Sequence, residues 1–285
     1  MIPPRLSATN QPLDTSTNKS QIADRFGQAA SIYHQSATVQ QAGAKHLISF
    51  TQKNGFQLPQ GNLLEIGCGT GFLTQELVNR FRDRAILITD LSSEMLAFCQ
   101  FHLSLPPGEN RVKFQQLDGE QLPLPEKPYA LIASGFALQW FDRPLQTIDR
   151  WIKATQPGGW LLISFPTDRS FPEWRHVCQE LNLPLTLNPL PNADALLETL
   201  QTLPVRCLTN EMISQTFHTD AIDFLRSLKT IGAGSSLTGK QLTIRQLKQL
   251  SAAWKLQNSN ANHVRNYDKI IASHSIAYWA IQRLD

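Results

Sequence analysis

The sequence has few cysteines, and their spacing does not let them act together. The four cysteines, at positions 68, 99, 178 and 207, form no Cys-x-x-Cys pair, which argues against a disulfide framework and against a zinc site. The seven histidines show no His-x-His or His-x-x-x-His spacing, so we expect no metal centre. Isolated cysteines are typical of a reducing compartment, and they predict a cytoplasmic location.

Long apolar runs are also missing. Although 41% of the residues are hydrophobic, the longest apolar stretches have the length of a β-strand and fall far short of the roughly 20 residues that span a membrane. The first twenty residues, MIPPRLSATNQPLDTSTNKS, contain no apolar core of a secretory signal. Their polar and proline-rich composition predicts a disordered tail over residues 1–19. We therefore expect no membrane partner.

Acidic residues are scarce in the last third of the chain. From Val205 onward, ten Lys or Arg stand against five Asp or Glu, a net charge of +5, whereas the first 204 residues carry 16 and 18, a net charge of −2. A basic region suits an acidic protein partner, although an ordinary solvated surface would give the same count. We expect no nucleic-acid partner.

Helix and strand patterns alternate along the chain. Residues 20–55 show apolar side chains at helical spacing, and strand-sized apolar runs alternate with amphipathic helices over residues 60–166. This alternation is typical of a doubly wound, mostly parallel α/β sheet. The helix that begins PLQTIDRW is predicted to stop at Pro157. Residues 167–285 mix helices and strands, and the last apolar segment, IIASHSIAYWAIQRL, is ambiguous between the two. We expect one domain over residues 20–285.

The stretch LLEIGCGTGF ends a predicted strand with three glycines, Gly67, Gly69 and Gly71. A backbone without Cβ atoms, followed by the free N–H groups of a helix, is common where a parallel sheet binds a nucleotide at the carboxyl ends of its strands. The spacing here is Gly-x-Gly-x-Gly. A dinucleotide fingerprint needs Gly-x-Gly-x-x-Gly, and a Walker loop needs a Lys followed by Ser or Thr. A nicotinamide cofactor is therefore disfavoured, although it stays an alternative.

Acidic residues at three successive strand ends narrow the choice of cofactor. Glu65 lies two residues before the first glycine, where a carboxylate suits a ligand ammonium group and discourages a diphosphate. Asp90 ends the second strand, at the position that binds ribose hydroxyls. Asp118 follows the third strand, where its carboxylate would bind an adenine amino group. An amino acid, a ribose and an adenine together describe S-adenosylmethionine.

These motifs resemble those of the class I S-adenosylmethionine-dependent methyltransferases over residues 20–285. The resemblance implies a seven-stranded Rossmann-like sheet with N-terminal lid helices over residues 20–55, a cofactor-binding core over residues 60–166, and acceptor-binding and closing elements, including helical insertions, over residues 167–285. It also implies that SGFALQWF forms the floor beneath the methionine part. The cofactor-binding residues expected from it are Glu65, Gly67, Cys68, Gly69, Thr70, Gly71, Asp90, Leu91, Met95, Asp118, Gly119, Glu120 and Ser134.

Four further segments, SGFALQW, SFPEWRHV, DFLRSLKTIGAGSS and LTIRQLKQLSAAW, resemble in this order the malonyl-[acyl-carrier protein] O-methyltransferases of biotin synthesis. The resemblance implies methyl transfer from S-adenosylmethionine to the free carboxylate of a malonyl group on an acidic acyl carrier protein. The resulting methyl ester would prime pimeloyl and biotin synthesis. Relatives commonly have Asn where Gly135 stands, so any role of that Asn has moved or been lost.

A carboxylate is already ionised at neutral pH, so this reaction needs no general base, and the sequence contains no obvious base constellation. Arg226 and Lys229, three residues apart on one predicted helix, would grip the acceptor anion or meet the carrier protein. The acceptor-binding candidates are Tyr33, Gln139, Trp140, Arg175, Arg226 and Lys229. Two alternatives stay open: a methyltransferase for another small carboxylate or a quinone precursor, and a non-catalytic module that binds a carrier protein.

Overall fold

The computed structural model describes residues 15–53, 56–105, 109–232, 239–261 and 269–285. Two helices come first, α1 (Thr15–Ser36) and α2 (Thr38–Lys53). The predicted disordered tail is wrong at its C-terminal end, because residues 15–19 already belong to α1, and residues 1–14 lie outside the described part. The reason is tertiary, since Lys19 pairs with two acidic side chains of the core, which composition does not reveal.

Within the described residues, seven strands form one sheet in the order β3-β2-β1-β4-β5-β7-β6. They are β1 (Leu63–Ile66), β2 (Ile86–Asp90), β3 (Val112–Gln116), β4 (Tyr129–Gly135), β5 (Thr155–Pro166), β6 (Val205–His218) and β7 (Ile270–Arg283). Strand β7 pairs antiparallel with β5 and β6, and the other pairings are parallel. The predicted doubly wound, mostly parallel sheet is confirmed, and the ambiguous last segment is a strand.

The remaining helices cover the sheet and its C-terminal edge. They are α3 (Phe72–Arg80), α4 (Ser93–His102), α5 (Pro144–Ala154), α6 (Pro172–Glu180), α7 (Ala193–Leu200), α8 (Ala221–Thr230) and α9 (Ile244–Ala261). Residues of α2, α3 and α4 share a buried apolar cluster with one face of the sheet, and those of α5 and α7 share one with the other face. Among the described helices, none combines the length and apolarity that crossing a bilayer requires.

A third apolar cluster joins α6, α8 and α9 to β7. Its centre is formed by Trp174, Phe224 and Trp254, all fully buried. Their ring centroids are 5.3 to 5.9 Å apart, the distance of aromatic packing in edge-on or tilted geometry. This cluster packs α6, α8 and α9 against the sheet. These helices correspond to the helical insertions predicted for the C-terminal region.

The predicted end of α5 at Pro157 is wrong. The helix ends at Ala154, and β5 already begins at Thr155. The pairing with β4 shifts register there, with three extra residues in β5. Proline is tolerated in an irregular part of a strand because no ladder hydrogen bond is required from it there.

Candidate active site

A cleft opens at the carboxyl ends of β1, β2 and β4, where the chain order of the sheet reverses. Its cavity, called here the first cavity, has an empty volume of about 1050 Å³ including open solvent at its mouth. This is where open α/β sheets bind nucleotides. The predicted cofactor residues that line it are Gly67, Cys68, Gly69, Thr70, Asp90, Leu91, Met95, Asp118 and Gly119. Those that are not among its lining residues are Glu65, Gly71, Glu120 and Ser134.

The three glycines of the loop serve different purposes. All have positive φ angles, which side chains rarely adopt. A Cβ at Gly67 would lie 2.7 Å from the Cβ of Ala137, and one at Gly71 would lie 2.9 Å from the Sγ of Cys99. A Cβ at Gly69 would meet nothing within 4 Å, although Gly69 lines the cavity. Close packing therefore demands Gly67 and Gly71, whereas Gly69 leaves bare backbone open to a ligand.

Asp90 organises this loop from the end of β2. Its Oδ2 accepts a hydrogen bond from the backbone N–H of Gly69, and its Oδ1 accepts one from that of Ser92, both at 2.8 Å. Ser92 caps α4 in turn, because its Oγ accepts from the N–H of Met95 at 3.3 Å. Burial raises the pKa of Asp90, and the two N–H groups oppose that shift. The carboxylate is thus held rigidly at the predicted ribose position.

Two buried polar groups near the loop lack hydrogen-bond partners in the described part of the chain. They are the carboxyl group of Glu65, which is fully buried, and the hydroxyl group of Thr70, which is 2% exposed. Burial raises the pKa of Glu65 well above its usual value. An unpaired buried polar group costs free energy, so the Thr70 hydroxyl and the open backbone at Gly69, which both line the first cavity, fit a polar ligand there, whereas Glu65 lies behind the cavity lining.

Acidic side chains cluster where the adenine is predicted. Asp118 follows β3 and caps a short 3-10 turn, Gly119–Gln121, because its Oδ1 accepts from the N–H of Glu120 at 3.0 Å. Its Oδ2 accepts from the Nζ of Lys19 at 2.9 Å, and Lys19 also pairs with Glu120. Glu120 further accepts from the N–H of Arg143 at 2.8 Å. The Glu120 carboxylate therefore binds Lys19 and the loop at Arg143, and it shares Lys19 with Asp118.

Helix α1 lies across the mouth of the first cavity. Lys19, Phe26 and Tyr33, seven residues apart, all line it, because that spacing places them on one face of a helix. The ring of Phe26 lies 5.2 Å from that of Trp140 and 6.0 Å from that of Tyr33. Burial, followed by the charge of Asp90, raises the pKa of Tyr33, so its hydroxyl stays protonated. Helix α1 therefore lies where a lid over the first cavity is expected.

A second cavity, with an empty volume of about 1150 Å³, adjoins the first. The residues that line both are Phe26, Tyr33, Gln40, Phe136, Trp140 and Phe141. Beyond this shared wall, the second cavity is lined mainly by apolar side chains of β5, β7, α8 and the loop before α7, such as Pro166, Leu187, Leu190 and Ile276. Two ligands could therefore meet beneath α1.

The polar groups of the second cavity are nearly all uncharged. No Lys or Arg is among the described residues that line it, and the one charged side chain there is that of the exposed Asp142. Gln139 donates its Nε2–H to the carbonyl of Phe136 at 2.7 Å, and its Oε1 has no hydrogen-bond partner within the described residues. Burial, with a smaller contribution from His218, lowers the pKa of His274 to about 4, so this histidine is neutral at neutral pH.

The structure separates the predicted acceptor residues into two groups. Tyr33, Gln139 and Trp140 line the second cavity, whereas the three predicted cations do not. Arg175 donates a hydrogen bond to the carbonyl of Asp168. Arg226 and Lys229 are exposed on α8. Leu228, on the same helix, lines the cavity instead.

Three features of the site were not predicted. Lys19 was assigned to the disordered tail, although its spacing to Phe26 and Tyr33 was a usable signal. His274 is on a segment of ambiguous structure, and no local pattern marks it. At Gly135, which also lines the first cavity, a Cβ would lie 3.3 Å from the Cδ2 of Leu73. Any side chain there would press against α3.

Comparison with known proteins shows which protein family has this fold and these motifs. The sequence profile of a family described as "Methyltransferase domain" matches residues 64–163, which contain the glycine loop, Asp90 and Asp118. A Bacillus halodurans protein assigned to the methyltransferases has a similar structure, with a TM-score of 0.58 and 13% identity, covering 84% of this chain and 99% of that one. The fold and the site thus define a class I S-adenosylmethionine-dependent methyltransferase.

Curated relatives identify the family more closely. The chain is 35% identical over 216 residues to the malonyl-[acyl-carrier protein] O-methyltransferase of Magnetococcus marinus, which covers 74% of this chain and 76% of the relative. It is 32% identical over 224 residues to the biotin biosynthesis bifunctional protein BioCD of Bordetella avium, covering 77% of this chain and 45% of that longer protein. The chain belongs to the malonyl-[acyl-carrier protein] O-methyltransferase family.

Proposed function

We propose that this protein transfers the methyl group of S-adenosylmethionine to the free carboxylate of a malonyl group on an acyl carrier protein, giving the malonyl methyl ester that primes biotin synthesis. The observation that carries the proposal is the meeting of two cavities beneath α1. The first has the geometry for a nucleoside with an amino-acid end, and the second has an apolar wall with neutral hydrogen-bonding groups. Family membership supports the choice of acceptor. The unpaired cysteines favour the cytoplasm as the location.

The first cavity would hold the cofactor through groups already in place. Asp90 would accept hydrogen bonds from the ribose hydroxyls, and Asp118 from the adenine amino group. The bare backbone of Gly69 would let the methionine part approach the loop, where the Thr70 hydroxyl lines the cavity and has no hydrogen-bond partner among the described residues. Bound there, the cofactor supplies a methyl group on a positively charged sulfur.

The second cavity would hold the acceptor carboxylate without a cation among its described lining residues. A guanidinium or ammonium group there would stabilise the carboxylate before reaction and weaken its attack. Neutral donors such as the hydroxyl of Tyr33 would orient it instead, and the apolar wall would exclude water. The carboxylate would then face the positively charged sulfur of the methyl donor. Placement of the carboxylate oxygen, the methyl group and the sulfur in line would lower the barrier.

The basic surface formed by α8 and α9 would receive the carrier protein. From Phe224 to Ala261 the chain contains six Lys or Arg and no Asp or Glu. Arg226 and Lys229 are exposed on α8, while Leu228 and Ile231 line the second cavity. An acidic carrier protein docked on this helix would lie beside the cavity that its acyl group must enter.

The test is methylation of a defined acceptor. Purified protein would be incubated with S-adenosylmethionine and malonyl-carrier protein, and intact-protein mass spectrometry would follow the carrier. We expect malonyl-carrier protein to gain the mass of one methyl group, and carrier protein loaded with an acetyl group to gain nothing. Methylation of a free small acid or a quinone precursor in place of the malonyl group would contradict the proposed acceptor. Tight cofactor binding with no transfer to any acceptor would indicate a non-catalytic module.

A further inference from the structure

Lys19 is the one Lys or Arg among the described residues that line the first cavity; it pairs with Asp118, the acid assigned to the adenine, and it does not line the second cavity. Its Nζ pairs with Asp118 at 2.9 Å and also with Glu120. The three side chains are only 10 to 19% exposed. Burial alone would lower the pKa of Lys19, but the hydrogen bonds and charges of Glu120 and Asp118 outweigh it and raise that pKa. Lys19 is therefore fully charged at neutral pH.

This ion pair has a structural consequence for both acids. Asp118 and Glu120 are two residues apart and both are largely shielded from solvent, so their like charges would repel each other if no cation lay between them. Lys19 compensates that repulsion. The cation comes from α1, whereas the acids belong to the 3-10 turn after β3, so the pairing ties the lid to the core.

The other anchors of α1 lie further along the helix. At Gly27 the backbone packs against α4, since a Cβ there would lie 2.8 Å from the Cβ of Glu94. Phe26 packs against Trp140, with ring centroids 5.2 Å apart, and against Gly232, where a Cβ would lie 2.4 Å from its ring. These apolar contacts hold the middle of α1, while Lys19 holds its N-terminal part to the adenine end of the site.

We propose that Lys19 is a latch: its ion pairs with Asp118 and Glu120 hold α1 closed over the cofactor, and their opening controls how fast the cofactor enters and the product nucleotide leaves. The inference rests on the proposed cofactor site, because Asp118 is the acid assigned to the adenine. It adds a role for α1 that is distinct from contact with the acceptor. Lys19 acts through Asp118 and is a positioning residue.

The test measures release of the product nucleotide. Adenosylhomocysteine would be bound to the full chain and displaced by excess competitor in a stopped-flow instrument, with tryptophan fluorescence as the signal because Trp140 lies in the cavity wall. We expect Lys19→Met to accelerate dissociation about tenfold, as the loss of a partly buried ion pair predicts. Lys19→Arg should restore slow release, and Glu120→Gln should give an intermediate rate. Lys45→Met, at an exposed lysine of α2, is the matched control and should match the wild type.

Ionic strength separates a latch from a general loss of stability. Salt weakens an ion pair that must open, so dissociation from the wild type should accelerate with added salt, and that dependence should disappear in Lys19→Met. If wild type and Lys19→Met release adenosylhomocysteine at the same rate with the same salt dependence, the latch is refuted and the cofactor site stands. If the wild type binds no adenosylhomocysteine, the proposed function and the latch both fail.

Discussion

At the scale of single residues, the glycine loop shows two different reasons for the absence of a side chain. Gly67 faces Ala137 and has no room for a Cβ, whereas Gly69 faces the cavity and has room. The requirement at Gly67 is therefore one of packing. The requirement at Gly69 comes from its positive φ angle and from the ligand, which makes the two positions separable by experiment.

Matched alanine substitutions should separate these requirements. Gly67→Ala adds a steric clash to the strain of a positive φ, so we expect a loss of about 3 kcal/mol or more in the free energy of unfolding. Gly69→Ala should lose only about 1 to 2 kcal/mol, from strain alone, yet bind adenosylhomocysteine much more weakly because its Cβ projects into the cavity. Urea unfolding and calorimetry would measure both. Equal losses of unfolding free energy in Gly67→Ala and Gly69→Ala would contradict the distinction between close packing at Gly67 and backbone strain at Gly69.

Asp90 offers the sharpest residue-level test of the cofactor site. Removing its carboxylate deletes the predicted ribose contact and releases the N–H groups of Gly69 and Ser92. We expect Asp90→Ala to weaken adenosylhomocysteine binding about 100-fold, the value of one or two hydrogen bonds to a charged group. Asp83→Ala, whose parent side chain is 80% exposed, is the control and should bind normally. Undiminished binding by Asp90→Ala would remove the basis for the ribose assignment.

At the scale of elements, α8 has one face that packs against the protein and another that is exposed to solvent. Phe224 and Leu228 are buried, and Leu228 lines the second cavity. Arg226 and Lys229 are exposed on the same helix. One helix thus supplies part of the wall of the second cavity and a basic surface next to it, so the position of the cavity and that of the proposed docking surface are coupled.

Reversing charge on α8 should affect only large, acidic acceptors. We expect the double substitution Arg226→Glu and Lys229→Glu to lower kcat/KM for malonyl-carrier protein at least tenfold at low salt, mostly through slower association. Activity toward a small malonyl thioester such as malonyl-pantetheine should change little. Lys113→Glu, at an exposed position of β3 at the other edge of the sheet, controls for charge reversal away from α8, and each single variant, Arg226→Glu or Lys229→Glu, matches its change in net charge. An equal loss with both acceptors would instead favour direct contact with the malonyl group.

At the scale of the whole molecule, a half-buried histidine lies where the sheet meets the second cavity. His274 lies on β7, and its Nε2 contacts the Oγ1 of Thr216 on β6 at 3.0 Å. That oxygen lies 2.9 Å from the Nε2 of His218, and the Nδ1 of His218 is 3.8 Å from Asp223. Burial lowers the pKa values of both histidines, so the folded state favours their neutral forms.

This burial predicts how stability depends on pH. The pKa of His274 is about 4 in the folded protein, compared with 6.5 for an exposed histidine. Because the unfolded state takes up the proton first, His274 contributes full stability above pH 6.5 and loses it as the pH falls towards 4, by up to about 3 kcal/mol. Urea unfolding of His274→Gln across this range should therefore show a shallower loss than the wild type. Parallel curves would contradict the depressed pKa.

The glycine loop, the acids at strand ends and the alternation of strands and helices could all be predicted from the sequence, because each depends on local spacing. The parallel sheet and the position of Asp90 follow from such patterns. The start of α1 was missed because the contact of Lys19 with distant acids stabilises it, and the seven-residue spacing of Lys19 to Phe26 and Tyr33 is its one local signal. The end of α5 depends on a register shift in β5, which no local pattern marks.

The sequence alone determined the glycine-rich turn and the acids at the strand ends, which form the proposed cofactor site. Each of these residues is contiguous in the chain with the strand that positions it. Only the tertiary structure determined which residues come together in the proposed acceptor site. It turned Arg226 and Lys229 outward, brought His274 and Gln139 into a cavity without described cations, and paired Lys19 with Asp118 and Glu120. The physical reason is that the proposed acceptor site is assembled from α1, α8, β7 and the loops between them, whose meeting depends on packing between parts of the chain up to about 250 residues apart.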